Sequence, residues 1–244
     1  MCSAYRSRVF TESAELYDAI YRSFKDFEAE AAAVDALVRA RHPGAHTILD
    51  IGCGTAEHAK YLCNAHGFSV DGLDIDPGLL AIARAKLPGS TFFESDMATF
   101  ELGRQFDVIL CLFGAIGYLK TLERVTSALM RFRRHLRPGG VVIVEPWFEP
   151  GVLREGWGTE RHAELGVTRV TRSNHIRVEN DRSLLDFTYR IEQRGQTRVL
   201  EERHELGLFA RDEMLRCFSD AGLCAEYETP GLNGRGLYIA RAAG

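Results

Sequence analysis

The stretch "HTILDIGCGTAEHAKYL", His46 to Leu62, decides the fold. Ile48, Leu49 and Ile51 read as a short buried strand, Gly52 and Gly54 permit a tight turn against a ligand, and Ala56 to Leu62 continue with helical spacing. Strand, glycine turn and helix in that order suit a nucleotide, and the segments downstream must say which one.

Outward from this stretch, strand and helix patterns alternate: "SVDGLD", "DPGLLAIARAKL", "STFFESD", "FDVILCLF", "TLERVTSALMRFRRHL" and "GGVVIVEPW". Such alternation predicts a parallel sheet covered by helices on both faces. Asp76 is placed to cap a helix with Pro77 at its first position, and "RPGG" at Arg137 to Gly140 to stop the helix before it. Upstream, Phe24, Phe27, Ala31, Val34, Leu37 and Val38 fall on one stripe of an amphipathic helix. From about Gly166 to Phe209 the period shortens to alternation, broken by "NDR" and "RGQ" turn signals, which predicts an antiparallel meander. A helix, "RDEMLRCFSDAG", and two further strands follow. The expected fold is α/β: a Rossmann-like seven-stranded mixed sheet with helices on both faces plus the inserted meander. Its expected units are residues 1–150, 151–209 and 210–244, the last completing the core sheet.

With 244 residues and 45% hydrophobic side chains, the chain can bury a substantial core. A net charge of -4 and a pI near 6.1 give no global attraction to a nucleic acid polymer. The apolar runs are too short for a bilayer, and "MCSAYRSRVF" lacks the apolar centre of a signal peptide, so a cytoplasmic protein away from membranes is expected. Six cysteines without a CxxC pair, and eight histidines without an HExxH, signal neither disulfides nor a metal.

In an open parallel sheet the ligand lies beyond the carboxyl ends of the strands. Asp74 ends the second strand about twenty residues past the glycines, where a carboxylate can accept both ribose hydroxyls. A nicotinamide dinucleotide would ask for a third glycine where Glu57 stands, beside the helix end that would hold its pyrophosphate. Glutamate there suits a nucleotide without one. At the third strand end, Asp96 and the Met97 amide could read an adenine, although Asp96 could equally cap the next turn.

"LDIGCGTAEH", "VDGLDIDPGLL", "ESDMATF" and "FDVILCLFGAIGYL" resemble, in order and spacing, the motifs of class I S-adenosylmethionine-dependent methyltransferases. "LYDAIY" followed by "KDF", with "VVIVEPWFEP" and "GRGLYIA", extends the resemblance to the N,N-dimethyltransferases of nucleotide-linked 3-aminosugars in macrolide antibiotic biosynthesis. The resemblance implies S-adenosylmethionine as cofactor, S-adenosylhomocysteine as product, a dTDP-3-amino-deoxyhexose as acceptor, and a homodimer. It implies that Gly52 and Gly54 admit the cofactor's methionine end, Asp74 its ribose and Asp96 and Met97 its adenine, with Leu79 packed near the base, and that Asp50, Cys53, Ile75 and Ser95 also contact the cofactor. Leu112 and Phe113 would lie beneath the sulfonium, and Tyr17 and Tyr21 would close over the site from an N-terminal helix. Tyr17 and Tyr118 would orient the amine, and Trp147 and Arg235 would hold the acceptor, Arg235 by gripping a phosphoryl group.

The turn departs from the family's frequent GxGxG at Ala56, and Tyr118 stands where some members carry histidine. A methyltransferase for another small acceptor, or an idle cofactor-binding protein using the meander as an interaction surface, are the competing expectations. In the meander, "RVTRSNHIR" could serve as a dimer contact, a lid base or a solvated face.

Overall fold

Helices of two or more turns separate the first, second and third apolar runs, and the fourth from the fifth, the length a right-handed crossover between parallel strands requires. The computed structural model describes residues 14–243, so Cys2 and the "MCSAYRSRVF" segment lie outside the described residues. Helices α1 (Ala14–Arg22) and α2 (Phe27–Arg41) lead into β1 (Thr47–Ile51), α3 (Glu57–Asn64), β2 (Ser69–Asp74), α4 (Pro77–Lys86), β3 (Phe92–Glu94) and β4 (Phe106–Cys111). A single 3-10 turn, Ala115–Leu119, precedes α5 (Leu122–Arg134) and β5 (Leu136–Val144). Then come β6 (Gly158–Leu165), β7 (Thr168–Glu179), β8 (Arg182–Gln193), β9 (Gln196–Gly207), α6 (Arg211–Asp220), β10 (Leu223–Glu228) and β11 (Leu237–Ala242).

The main sheet runs β10-β11-β5-β4-β1-β2-β3. β11 pairs antiparallel with both β5 and β10, and the remaining neighbours are parallel. Chain order reverses beside β1, which lies between β2 and β4, so the crevice opens past the ends of β1 and β4. Two buried clusters fill the sheet's faces, one under α5 and α6 and one under α2, α3 and α4. A third joins α1, through Leu16 and Ile20, to Val170, Phe187, Leu206 and other side chains of the four-stranded β6-β7-β8-β9 sheet. Helix α1 thus rests on the meander, and Tyr118 and Trp147 pack against the same cluster.

The expected Asp76 cap is present: its carboxylate accepts from the Gly78 and Leu79 amides at 2.8 and 3.1 Å, with Pro77 at the first helical position. The "NDR" and "RGQ" signals become hairpin turns with positive φ at both central residues, Asn180 and Asp181 in one, Arg194 and Gly195 in the other.

Three local expectations need correction. Phe24 lies before α2 and is 40% exposed, because Asp26 caps the helix and starts it at Phe27. Arg137–Gly140 falls inside β5, where Phe106 pairs with Leu136 but Val108 with Val141, so the glycines make a bulge. The meander begins earlier, at β6, whose side chains are nearly all exposed and therefore carry no alternation of polarity.

Candidate active site

The turn after β1 is built from three residues in left-handed conformation: Gly52 (φ 69), Gly54 (φ 53) and Ala56 (φ 62). A side chain on Gly52 would strike the Ala115 methyl at 2.8 Å, so that glycine keeps β1 against the 3-10 turn. A side chain on Gly54 would extend toward the Tyr17 hydroxyl and Leu79, 3.9 and 4.0 Å away, into the space a ligand needs. Ala56 adopts a backbone that glycine would take without strain, at a cost of roughly 1–2 kcal/mol. The Cys53 sulfur occupies the position a side chain on Gly72 would fill, which makes Cys53 a packing residue of the crevice floor.

Asp74 ties the glycine turn to the end of β2. Its two carboxylate oxygens accept from the Gly54 and Asp76 amides at 2.8 and 2.9 Å, fixing the turn while leaving further lone pairs for two hydroxyls. Burial raises its pKa against these two amide bonds. Ile75, 64% exposed beside it, offers an open apolar face. Asp50 is fully buried, and its Oδ2 has no hydrogen-bond partner among the described residues. Burial pushes this carboxyl up to about 6, a place where an incoming cation would be well received.

Past the end of β3, Asp96 takes the capping role, one of the two the sequence left open, and pairs with a cation as well. Its Oδ1 caps the Ala98 amide at 2.8 Å, while Oδ2 pairs with Arg124 at 2.6 Å. The Ser95 amide donates to the Asp74 carbonyl at 3.0 Å, and the Met97 methyl reaches toward Gly52. The Leu112 carbonyl accepts from Ala115 at 3.2 Å.

Past β4, Phe113 takes φ 56, an uncommon conformation for a bulky residue. Its amide donates to Glu145 Oε2 at 2.7 Å, and Glu145 Oε1 accepts from Asn233 and Arg235 at 2.9 and 2.8 Å. Glu145 is fully buried and the Arg235 side chain is 8% exposed. Arg235 therefore spends one edge of its guanidinium on the buried carboxylate that props up Phe113, a partner the sequence did not reveal. The Trp147 indole donates to Ser183 at 2.9 Å, tying the end of β5 to the meander.

Aromatic rings close the site from above. Tyr17 and Tyr21 meet at 4.2 Å with their rings tilted by 37°, and Tyr21 meets Phe113 edge-on at 5.5 Å. Tyr118 hydrogen-bonds His204 Nδ1 at 2.6 Å. Burial raises the phenols of Tyr17 and Tyr118 well above their ordinary value, with further contributions from neighbouring tyrosines and Asp74. Neither is a phenolate near neutral pH.

Glu57, the residue in the dinucleotide's glycine position, anchors α1 to α3 and α4. It pairs with Arg22 of α1 at 2.6 Å and with Lys86 of α4, while Lys86 also holds Asp18 of α1 at 2.8 Å. Burial alone would raise this carboxyl, but the two cations hold it at about 2. A depressed carboxyl contributes stability above its unfolded pKa and loses it as pH falls through the folded value. Replacing Glu57 with Gln should therefore destabilise the chain at pH 7 by something on the order of 3 kcal/mol. In urea titrations the gap from wild type should narrow below about pH 4.5 and close near 2; a constant gap would deny this clamp its charge.

Among the described residues no helix is long and apolar enough to cross a membrane, and no His/Cys/Asp/Glu group suits a metal ion.

Residues 48–140 match a family model described as a methyltransferase domain. Over 230 residues the chain is 39% identical to dTDP-3-amino-3,6-dideoxy-alpha-D-glucopyranose N,N-dimethyltransferase of Streptomyces fradiae, covering 93% of this chain and 89% of that one. The chain belongs to the S-adenosylmethionine-dependent methyltransferases, in the branch of the aminosugar N,N-dimethyltransferases. Its fold superposes on the crystal structure of Streptomyces venezuelae DesVI with a TM-score of 0.90 at 35% identity, covering 95% and 98% of the two chains. It also matches S-adenosylmethionine-bound CalS10, an amino pentose methyltransferase of Micromonospora echinaspora, at 0.83 and 33%, covering 92% and 95%. S-adenosylmethionine is the cofactor of this family branch, and the Gly54 opening, the orphaned Asp50 oxygen and the doubly accepting Asp74 fit it. His204 and Glu202, which the sequence did not single out, join this site through Tyr118; their signal was a histidine and a glutamate at alternate positions of a predicted strand.

Proposed function

We propose that this methyltransferase transfers methyl groups, twice on one nitrogen, to the amine of a nucleotide-linked aminosugar, with a dTDP-3-amino-deoxyhexose as the acceptor. The observation that carries the reading is where similarity to the Streptomyces fradiae enzyme extends. It covers 93% of the chain, well beyond the 48–140 cofactor core, and so takes in the meander that walls the acceptor side. Residues 1–150 would hold the cofactor under the lid, 151–209 would shape the acceptor wall, and 210–244 would complete the sheet and carry Arg235.

In this assignment Asp50 takes the cofactor's ammonium, Gly52, Cys53 and Gly54 leave room for its methionine chain, and Asp74 binds the ribose with Ile75 alongside. Leu79, Ser95, Asp96 and Met97 frame the adenine. The bound cofactor supplies a methyl group on a positively charged sulfur, ready for direct displacement. Phe113, fixed by Glu145, and Leu112 form the floor on which the amine and that methyl must line up, and Tyr21 covers it. Tyr17 and Tyr118 orient the amine lone pair, while Trp147 borders the acceptor. Arg235 contributes first by fixing Phe113 and second by presenting positive charge to the acceptor's diphosphate.

Positioning of two bound reactants supplies roughly 7–11 kcal/mol, against roughly 3–5 from a general base, so a site rich in rings and poor in ionised bases suffices. The ring oxygens of the sugar depress the amine below the lysine value of about 10.4, leaving more free amine to react. A homodimer through the meander belongs to the proposal, supported by the exposed Trp157, Leu165 and Val167 along its edge.

A panel of nucleotide-linked aminosugars, the matching hydroxy sugars, free aminosugars and amino acids, each with methyl-labelled cofactor, tests the reading. Label should pass first to the nucleotide-linked amines. Faster transfer to an acceptor without a phosphate would hand the assignment to another small-acceptor methyltransferase.

A further inference from the structure

We propose that His204, backed by Glu202, sets the direction of the Tyr118 hydroxyl and makes it the exit for the proton that the acceptor nitrogen must shed between methylations. The aminosugar assignment enters only in naming the amine that delivers this proton.

The arrangement comes from strand register. Glu202 and His204 are two apart on β9 and face the same side, opposite Phe187 and Leu185 of β8. That side looks at the 3-10 turn, where Tyr118 meets His204 Nδ1 at 2.6 Å. His204 Nε2 lies 3.6 Å from Glu202 Oε2, and the two side chains are 3% and 7% exposed. Both Glu202 oxygens are buried without a hydrogen-bond partner among the described residues, a costly state for a carboxylate unless a cation forms beside it. Phe187 packs edge-on against the imidazole at 4.9 Å and keeps water out.

Burial lowers the His204 pKa against the pull of Glu202, with Arg172 of β7 lowering it further, so the ring is neutral at pH 7. A neutral imidazole has one N–H. If Nε2 carries it toward Glu202, Nδ1 must accept, Tyr118 must donate, and the lone pairs of the phenol oxygen turn toward the amine. The buried phenol cannot serve as a base by first losing its proton, since its pKa stands well above the ordinary value. It can pass one proton while receiving another. After methyl transfer the N–H bond of the new ammonium breaks, leaving its pair on nitrogen. That proton joins the Tyr118 oxygen as the oxygen's own proton moves to Nδ1, and the resulting imidazolium faces Glu202. The charged and titratable neighbours are Glu202 on β9, Arg172 on β7, Tyr189 on β8, Tyr17 and Tyr21 on α1, Asp74 at the end of β2 and Tyr118 itself, with Arg172 opposing the charge and so favouring its later release.

His204 acts through Tyr118 and is a positioning residue. Asparagine at 204 keeps an oxygen near the Nδ1 position, so it accepts from Tyr118 but cannot take up a proton. His204→Asn should leave cofactor affinity and acceptor KM within about twofold, lower kcat for the second methylation about tenfold or more, and regain rate as pH rises and water removes the proton instead. Because the two residues form one path, Tyr118→Phe combined with His204→Asn should be no slower than Tyr118→Phe alone. Nitrogen-15 NMR of the histidine rings, assigned by the Asn variant, should find His204 in the Nε2–H form without any acceptor present. An Nδ1–H ring, additive losses in the double variant, or an unchanged kcat and pH profile would each overturn the proposal. Should wild type prefer some other amine, the acceptor assignment falls, while the tautomer and the coupling, measured with that amine, still decide the role of His204.

Discussion

Replacing Arg235 with alanine should destabilise the chain by roughly 3–5 kcal/mol, because it strips the cation from a carboxylate buried at Glu145. Asn233 alone would remain on Glu145 Oε1, and the Phe113 amide on the other oxygen. The loss should reach the active site, since Phe113 holds its φ of 56 against that carboxylate. We expect lower kcat as well as a higher acceptor KM. Lysine should restore part of the stability by returning the charge without the planar fork. Removing both charges together, with Glu145→Gln and Arg235→Met, should recover much of the stability lost in Arg235→Ala, as is usual when a buried pair is deleted whole. Urea unfolding checks all three variants. An Arg235→Ala protein as stable as wild type, impaired only in acceptor KM, would mean that the guanidinium serves the diphosphate and not Glu145.

Asp74→Ala should weaken S-adenosylmethionine binding by roughly 10- to 150-fold, the equivalent of about 1.5–3 kcal/mol for charge-assisted hydrogen bonds. The same substitution releases the Gly54 and Asp76 amides, so the turn itself loosens and the upper end of that range is expected. Asparagine keeps one acceptor oxygen and should lose less. Calorimetry on the folded variants measures the difference, and an Asp74→Ala protein binding as tightly as wild type would move the ribose elsewhere.

These two residues also mark how far the sequence could be read. The placement of Asp74 against the glycine turn was legible because one rule, an acidic residue about twenty positions past that turn, joins two sites through the fixed geometry of neighbouring parallel strands. The alternation of strands and helices and the turn-forming "NDR" and "RGQ" were legible for the same reason, since local spacing determines them. The resemblance gave Arg235 to the acceptor, and its pairing with Glu145 was not legible, because that partner lies 90 residues away in sequence, just past β5. The signal available was a lone carboxylate in the apolar run "VVIVEPWF", which has to find a cation somewhere. Glu57 was read as suiting a nucleotide without a pyrophosphate, but its grip on Arg22 and Lys86 depends on three helices meeting, which no local pattern encodes.

The meander shows the limit most clearly. Alternation revealed its strands β7 to β9, but the inward positions include Arg172, Glu202 and His204, so polarity did not say which face was inside. Arg172, part of the stretch left open between surface and lid, turns out buried against Tyr21 and Phe187. β6 was missed because both of its faces meet solvent.

The most direct measurement of the central claim is product analysis, by mass spectrometry and NMR, after wild-type protein is incubated with S-adenosylmethionine and a dTDP-3-amino-deoxyhexose. The account predicts a monomethyl intermediate followed by a product carrying both methyl groups on the one amine nitrogen, with two S-adenosylhomocysteine molecules released per acceptor. Methylation on oxygen, or no transfer from a protein that binds both compounds, would contradict it.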